Sequence, residues 1–214
     1  MAGGRRYAGG RCAREVAGLA ERSPRERVVF SAAQLLRRGG VARTGMREAV
    51  TRARAPRGSL QHYFPGGKEQ LVNEAVDWAG RYAARRVERF VAGLGTPSPS
   101  GLFAAMVGQW TEEFESEAGF AGGCPVAAAT VDSADTVAST RAAAARAFDG
   151  WRAAVAGALH AMGVPETRTG ALATLMVSSL EGALLLARAT HDVRPLHDVV
   201  RELGPLLDAA APEG

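Results

Sequence analysis

The stretch that decides the interpretation of this chain is Arg54-Ala55-Pro56-Arg57-Gly58-Ser59-Leu60-Gln61-His62-Tyr63-Phe64-Pro65-Gly66-Gly67-Lys68. It predicts a very short helix between two turns, because Pro56 opens it at about Arg57 and Phe64-Pro65-Gly66-Gly67 ends it. Polar side chains cover most of its faces, so it is a poor core element and a suitable probe for base edges and phosphates. Two helical segments precede it. The pattern therefore predicts a helix-turn-helix that contacts DNA.

The two preceding helices have clear boundaries in the sequence. The first begins with a capping box, Ser23-Pro24-Arg25-Glu26, and ends at Arg37-Arg38-Gly39-Gly40, a basic last turn followed by a glycine stop. We expect Thr44 to cap the second helix. Apolar residues at helical spacing predict the buried faces of both helices: Val28, Ala32, Leu35 and Leu36 in the first, and Met46, Ala49, Val50 and Ala53 in the second.

Charge is distributed unevenly along the chain. Residues 1–68 contain 15 lysine and arginine residues and four acidic residues, whereas residues 69–214 contain 11 and 18. Residues 23–68 alone contain ten basic and two acidic residues, so the asymmetry does not depend on the arginine-rich leader. This distribution predicts one end that binds a polyanion and a body that repels it.

The rest of the chain predicts helices only, which makes the fold class all-α with about nine helices. A long helix from about Lys68 to Leu94 is followed by a linker at 95–100. Further helices are expected around Leu102 to Phe114 and over 126–131, 136–162, 166–189 and 195–207. We divide the chain into a disordered basic leader at 1–22, a helix-turn-helix domain at 23–70 and a helical domain at 71–214.

Composition favours a cytoplasmic protein without a membrane span. Cys12 and Cys124 lie far apart, so a disulfide is not expected and the cysteine usage suits a reducing compartment. No apolar segment follows the N-terminal arginines, so no secretory signal is expected. The most apolar stretch, 171–189, contains Glu181 and Arg188 and predicts a buried helix.

These motifs resemble a known family. Ser23 to Leu71 is similar to the DNA-binding domain of TetR-family bacterial repressors. The sequence at 55–60 and 62–71 resembles that of the LmrA/YxaF-like branch. The segment Gly122-Gly123-Cys124-Pro125-Val126-Ala127 in the second domain resembles the same branch. The resemblance implies an all-helical homodimer that binds a palindromic duplex operator and releases it when a small molecule enters the second domain.

The chain departs from the family pattern at two positions. Arg54 stands where the family usually has glycine, and a left-handed backbone there would cost about 1 kcal/mol. Gln61 replaces the usual tyrosine, which typically reaches a phosphate; a glutamine can bond adenine or a phosphate instead. Both changes concern the choice of operator sequence.

The DNA-contact prediction covers residues in and beside the short helix, with Arg57 and Gln61 as the best base-reading groups because they lie four residues apart on one face. The predicted set is Thr44, Arg54, Arg57, Ser59, Gln61, His62, Tyr63 and Lys68. The alternative is that His62 and Tyr63 only pack between helices.

The resemblance implies a ligand pocket in the second domain, and its lining is predicted from apolar and aromatic residues that several helices contribute, with Glu181 as the orienting polar group. The set is Met106, Trp110, Phe114, Phe120, Cys124, Phe148, Trp151, Met176 and Glu181. Ordinary core packing is the alternative for each of them. The effector expected there is small, apolar and aromatic.

The predicted homodimer interface uses the last two long helices, because the final helix has an apolar face and the helix before it is apolar nearly all round. Its residues are Leu184, Leu196, Val199, Val200, Leu203 and Leu207. No catalytic residues, cofactor or metal are expected; His191-Asp192 and His197-Asp198 flank Pro195 in a predicted surface loop. A constitutive DNA-binding protein without an effector is the alternative function, and a small-molecule enzyme is the least favoured.

Overall fold

The computed structural model describes residues 23–56, 58 and 60–211, which form nine α-helices without a strand. The helices are α1 (Pro24–Gly39), α2 (Met46–Arg52), α3 (Leu60–Tyr63), α4 (Gly67–Gly93), α5 (Pro99–Phe114), α6 (Pro125–Ser133), α7 (Ala138–Ala161), α8 (Glu166–Thr190) and α9 (Arg194–Asp208). A 3-10 turn lies at Gly119–Ala121, between α5 and α6. The predicted all-α class is confirmed. The predicted disordered leader at 1–22 lies outside the described residues.

The sequence signals at the ends of α1 are present in the structure. The Ser23 hydroxyl accepts a hydrogen bond from the Glu26 backbone N–H, and the Glu26 carboxylate accepts one from the Ser23 backbone N–H. Gly40 ends the helix with φ of +69°. A side chain at Gly40 would also collide with the Asp132 carboxylate, because an added Cβ would lie 2.1 Å from its Oδ2. Glycine is therefore required there by both backbone and space.

The N-terminal unit, α1–α3, packs against the first half of α4. Its core includes the fully buried residues Val28, Leu36, Ala49, Phe64 and Leu71. Residues from α6 and α7 complete the same cluster, including Ala129 and Ala143. Because this cluster crosses from α1 to α7, the N-terminal unit and the C-terminal body (residues 99–211) share part of their core.

Helices α4 and α7 approach each other closely at Gly80. A Cβ added to Gly80 would lie 2.6 Å from the Cα of Ala147, so only glycine permits this approach. Polar contacts flank the crossing: the Thr140 hydroxyl donates to Asn73 Oδ1 at 2.8 Å, and Arg146 pairs with Asp77 at 3.1 Å. These contacts join α4 to α7 along most of the N-terminal half of α4.

The larger core lies in the C-terminal body between α5, α7, α8 and α9. It includes the buried residues Phe103, Leu159, Leu180, Leu196 and Leu207. The apolar face of α9 is used inside the protomer, because Leu196 and Leu207 are wholly buried.

This packing bears on the predicted dimer interface, which stays a prediction. Leu184, Leu196 and Leu207 are buried in the protomer core and cannot meet a second copy, while Val199, Val200 and Leu203 are partly buried and pack against the same core. The sequence pattern identified an apolar face but not the helix that covers it.

Two neighbouring exposed leucines lie on α8, while Val131 on α6 and Leu206 on α9 are the other large apolar side chains exposed in the described part of the chain. Leu185 and Leu186 are 59% and 58% exposed. The exposed face runs along the helix through Ala171, Thr174, Ser178, Gly182, Leu185, Leu186 and Ala189. In the described part of the chain, α8 is the one helix long and apolar enough to cross a membrane, and 44% of its apolar window is buried inside the protein; a single helix of this kind is weak evidence for a membrane span.

Candidate nucleic-acid interface and effector region

Helix α3 is exposed on most of its surface and contains no buried residue. Gln61 and His62 are exposed and Tyr63 is half-buried. Leu60 packs against the N-terminal core, and the adjacent Phe64 is wholly buried and anchors the end of the helix. A four-residue helix held mainly by apolar residues at its ends presents its polar side chains outward, where a duplex could meet them.

The turn before α3 is left-handed at Arg54, which has φ of +49°. The side chain of Arg54 is exposed. The turn is tied to α1, because Arg27 Nε donates to the Ala53 carbonyl at 3.0 Å. Arginine therefore occupies the conformation that favours glycine, in a turn that its neighbours hold in place.

The turn after α3 is held by the Gln70 amide. Gln70 Oε1 accepts from the Gly66 N–H at 2.8 Å, and its Nε2 donates to the Tyr63 carbonyl at 3.5 Å. The same Nε2 donates to Glu74, whose carboxylate also pairs with Arg25 at 2.6 Å. These contacts fix where α3 ends relative to α1 and α4.

Lys68 and Thr44 were both predicted to bind phosphate. Lys68 is exposed in the first turn of α4, and its Nζ donates to the Ala42 carbonyl at 3.2 Å. Thr44 is wholly buried and its hydroxyl donates to the Gly40 carbonyl at 2.8 Å, so the structure contradicts a direct phosphate contact. The predicted cap is also wrong, because Gly45 occupies the N-cap of α2 without a side-chain bond.

Two predicted contacts, Arg57 and Ser59, lie outside the described residues, as does the expected start of the short helix at about Arg57. The structure instead adds two arginines that the sequence analysis did not single out. Arg43 and Arg47 are exposed just before and within the first turn of α2. The only signal for them was the excess of basic residues at this end of the chain.

The residues predicted to bind a ligand separate into two groups, the apolar and aromatic residues of the C-terminal core and the pair formed by Cys124 and Glu181. Met106, Phe114, Trp151 and Met176 are buried in the core of the C-terminal body, and Trp110, Phe120 and Phe148 are partly buried against it. Three of these rings form a row: Trp110 lies 6.2 Å from Phe114, and Phe114 lies 4.8 Å from Phe120. The row ends at His191, whose ring stacks on Phe120 at 5.1 Å.

Cys124 and Glu181 contact each other between α6 and α8. Burial raises the pKa of Glu181 to about 7. Burial, and after it the Glu181 carboxylate, raises the pKa of the Cys124 thiol well above its usual value. Among the described residues, neither Glu181 Oε1 nor Trp110 Nε1 has a hydrogen-bond partner, although both atoms are buried. Buried polar atoms without partners are unfavourable and are available to bond a ligand.

Two surface grooves are lined by other residues. A groove of about 430 Å³ lies between α5 and α9, lined by Ala104, Val107, Gly108, Thr111, Glu112, His197, Val200 and Arg201. A second, of about 300 Å³, lies beside the α4–α7 crossing at Gly80. None of the residues predicted to bind ligand lines either groove. Within the described ranges, histidine, cysteine and acidic side chains form no cluster of three suited to a metal.

Comparison with known sequences identifies the family. The profile of bacterial regulatory proteins of the tetR family matches residues 30–75. The profile of the C-terminal domain of LmrA/YxaF-like transcriptional regulators matches residues 99–202. The two matches fall on the helix-turn-helix and on the C-terminal body, respectively.

The chain is 41% identical over 195 residues to an uncharacterised HTH-type transcriptional regulator of Mycobacterium tuberculosis, covering 89% of this chain and 97% of the relative. It is 27% identical to the HTH-type transcriptional regulator LmrA of Bacillus subtilis, covering 80% and 90%. The fold is similar to that of reduced E. coli NemR, with a TM-score of 0.72, 20% identity and coverage of 88% and 99%. A TetR regulator from Legionella pneumophila gives a TM-score of 0.73 at 21% identity, with coverage of 87% and 98%. The chain belongs to the TetR family of transcriptional regulators and carries a C-terminal domain of the LmrA/YxaF-like type.

Proposed function

We propose that this protein is a cytoplasmic repressor that binds a palindromic operator as a homodimer and releases it when a small, mainly apolar effector binds. The observation that carries the proposal is α3, a short exposed helix whose outward residues are polar and whose surroundings are basic. Gln61 and Arg57 would read bases, while Lys68, Arg54, Arg43 and Arg47 would contact phosphates. His62, Tyr63 and Ser59 complete the proposed surface.

The exposed face of α8 supports a two-fold dimer. Leu185 and Leu186 are more than half exposed beside small residues that let a second helix approach closely. In a two-fold dimer the same face of both copies meets, and two α3 helices then face the duplex. Two-fold symmetry requires a roughly palindromic operator with half-sites about one helical turn, or a multiple of it, apart.

The aromatic row and the Glu181–Cys124 pair support an effector site in the C-terminal body. Trp110 Nε1 is a buried donor without a partner among the described residues, and the buried Glu181 Oε1 also lacks a partner there. Aromatic rings beside two such groups suit a mainly apolar ligand with a few polar atoms. An effector that enters among packed rings must displace α5 or α8.

Helix α4 connects the two ends of the proposed switch. It begins beside α3 and runs for 27 residues to Gly93, about 40 Å at 1.5 Å per residue. A displacement of the body would move α4 and change the separation of the two α3 helices. To release DNA, the effector must prefer the released state by about 1–3 kcal/mol, because equal affinity for both states shifts nothing.

Gel-shift titration tests the DNA-binding half of the proposal. A duplex selected from a randomised pool should bind more tightly than random duplex, with an affinity that falls steeply with salt. Lys68→Ala should weaken binding to all sequences alike, whereas Gln61→Ala should cost about 1–3 kcal/mol at one base pair of each half-site. Equal losses on every sequence for both variants would refute base reading by Gln61. Thr44→Ser serves as a matched control, since Thr44 is buried.

Tryptophan fluorescence tests the effector half. Candidate aromatic compounds should quench the emission of Trp110 and also release the selected duplex. A compound that quenches without releasing DNA would support the alternative of constitutive DNA binding.

A further inference from the structure

Arg37 of the N-terminal unit makes several polar contacts with the C-terminal body. It lies in the last turn of α1, and its side chain is 17% exposed. Its Nη2 pairs with Glu113 Oε1 at 2.6 Å, and its Nε donates to the Gly123 carbonyl at 3.2 Å. Its guanidinium lies over the Trp110 ring, with Cζ 5.1 Å from the ring centroid. One side chain from α1 thus contacts α5 and the segment before α6.

The backbone reinforces this contact. The Gly123 N–H donates to the Arg37 carbonyl at 2.8 Å, so Arg37 and Gly123 are bonded in both directions. A Cβ added to Gly122 would lie 3.0 Å from Arg37 Nε, and one added to Gly123 would lie 2.7 Å from Arg188 Nη1. The two glycines therefore lie between an arginine from α1 and an arginine from α8.

The segment between α5 and α6 is joined to the aromatic row. Arg188 Nε donates to the Phe120 carbonyl at 3.4 Å, and Phe120 packs on Phe114. Cys124, next to Gly123, contacts Glu181 of α8. A displacement of α5 or α8 would consequently move groups that hold Arg37.

A second contact holds the same end of α1. Asp132 Oδ2, in α6, accepts a hydrogen bond from the Val41 N–H at 2.7 Å. The C-terminal body thus holds the N-terminal unit at two points, Arg37 and Val41. Because there are two points, the unit cannot rotate freely about either one.

We propose that Arg37, seated between Glu113, Trp110 and the Gly122–Gly123 backbone, is the positioning residue that fixes the N-terminal unit on the C-terminal body and so sets the half-site spacing that the dimer accepts. This inference rests on the proposed operator binding. It assigns a joint at the end of α1 that is distinct from the connection through α4. Loss of the joint would let the two α3 helices vary in separation, and operator affinity would fall because binding would have to order them.

The test compares wild type, Arg37→Met and Arg37→Lys on three duplexes: the selected operator, the operator with one base pair inserted between half-sites, and a random duplex. The insertion moves the half-sites apart by about 3.4 Å and rotates them by roughly 34°. Wild type should lose roughly 30-fold in affinity on the inserted duplex, and Arg37→Met only about 3-fold, because a loose joint adapts to the new spacing.

On the selected operator, Arg37→Met should bind about 10-fold more weakly than wild type, with unchanged affinity for random duplex. Arg37→Lys keeps the charge opposite Glu113 and should recover part of the loss. Arg201→Met is the matched control, because Arg201 also pairs with a carboxylate, that of Asp198 at 2.8 Å, but both residues lie on α9. Should Arg37→Met fail to fold, Glu113→Gln carries the same comparison.

The outcomes separate this inference from the proposed function. If wild type prefers no duplex over random DNA, the proposed operator binding fails. If wild type prefers the operator and Arg37→Met, folded, shows the same affinity and spacing dependence, the joint is refuted and operator binding stands. A parallel loss on operator and random duplex would also refute the joint, because it would mark Arg37 as a phosphate contact.

Discussion

Helices α8 and α9 are both apolar and adjacent in the chain, yet the structure uses them in opposite ways. The apolar stripe of α9 is wholly buried against its own protomer at Leu196 and Leu207, although Leu206 on the same helix is 47% exposed. In contrast, α8 has apolar or small residues on both sides, and Leu185 and Leu186 remain exposed. A helix with one apolar face can be satisfied by one neighbour, whereas a helix apolar all round needs cover on a second side. The comparison makes the exposed face of α8 our proposed dimer interface.

The largest effect is expected from a charge on the exposed side of α8. Leu185→Glu enters a two-fold interface twice, once from each copy, and should cost about 6 kcal/mol, taking about 3 kcal/mol for each unpaired buried charge. The variant should be monomeric at micromolar concentration in sedimentation equilibrium. Val131→Glu is the control, because Val131 on α6 is 83% exposed. A dimeric Leu185→Glu would place the interface elsewhere.

The converse change concerns the buried stripe of α9. Leu196→Ala and Leu207→Ala should each lower the free energy of unfolding by about 2–5 kcal/mol, because each leaves a cavity in the protomer core. Urea unfolding in the monomeric Leu185→Glu background measures this without a contribution from association. The dissociation constant of the dimer should not change for either variant in an otherwise native background. A selective loss of dimer would return α9 to the interface.

The inner side of α8 carries a titratable group, Glu181, with a pKa raised to about 7 from 4.5. Below pH 4.5 the carboxyl is protonated in both the folded and unfolded states. Between pH 4.5 and 7 only the unfolded state ionises, so the free energy of unfolding should fall by about 3 kcal/mol as pH rises, and level off above pH 7.

Comparison with Glu181→Gln isolates this effect from other carboxylates. The stability of the glutamine variant relative to wild type should rise across that pH range in urea titrations at fixed protein concentration. Ser178→Ala, a change without a titratable group on the same helix, should show a pH-independent difference. A difference between Glu181→Gln and wild type that does not vary with pH would place the carboxyl in water.

The smallest effects on stability are expected when glycine is replaced by alanine, and their sign depends on whether there is space for the added methyl group. Within the protomer, Gly182 on the exposed face of α8 has open space around its Cβ position, so Gly182→Ala should stabilise the monomeric background by up to about 1 kcal/mol. Gly80→Ala should destabilise it, because the new methyl would meet the Ala147 backbone at 2.6 Å. Thermal unfolding of both variants gives the signs. Equal signs would contradict the close α4–α7 approach.

The features that sequence reasoning predicted correctly depend on local chemistry. The Ser23 capping box, the glycine stop at Gly40 and the short helix before Phe64 each follow from a few neighbouring residues, and the structure has all three. The conditional expectation for Arg54 also depended on one turn, and its φ of +49° meets the condition. Such signals are readable because the interactions that form them span four residues or fewer.

The errors all concern which distant neighbour covers a residue. Thr44 has the composition of a cap but is buried by packing, and Leu196 has the pattern of an interface but faces its own chain. Arg37 drew attention only as part of a basic last turn, because its partners Glu113 and Gly123 lie 76 and 86 positions away. Burial of a face can be predicted from periodicity, but the identity of the partner requires the tertiary structure.

The contact at Gly80 has a mechanical consequence. Gly80 lies at the midpoint of α4, 13 residues from Gly67 and 13 from Gly93, so the helix has two equal arms of about 20 Å on either side of this close contact with α7. A stiff rod that pivots at its centre moves its two ends by equal amounts in opposite directions. If Gly80 is the fulcrum, a 1 Å shift at Gly93 reappears at Gly67 as about 1 Å in reverse, without amplification. A larger change in the separation of the two α3 helices in the proposed dimer must then come from the sum of the movements of the two protomers.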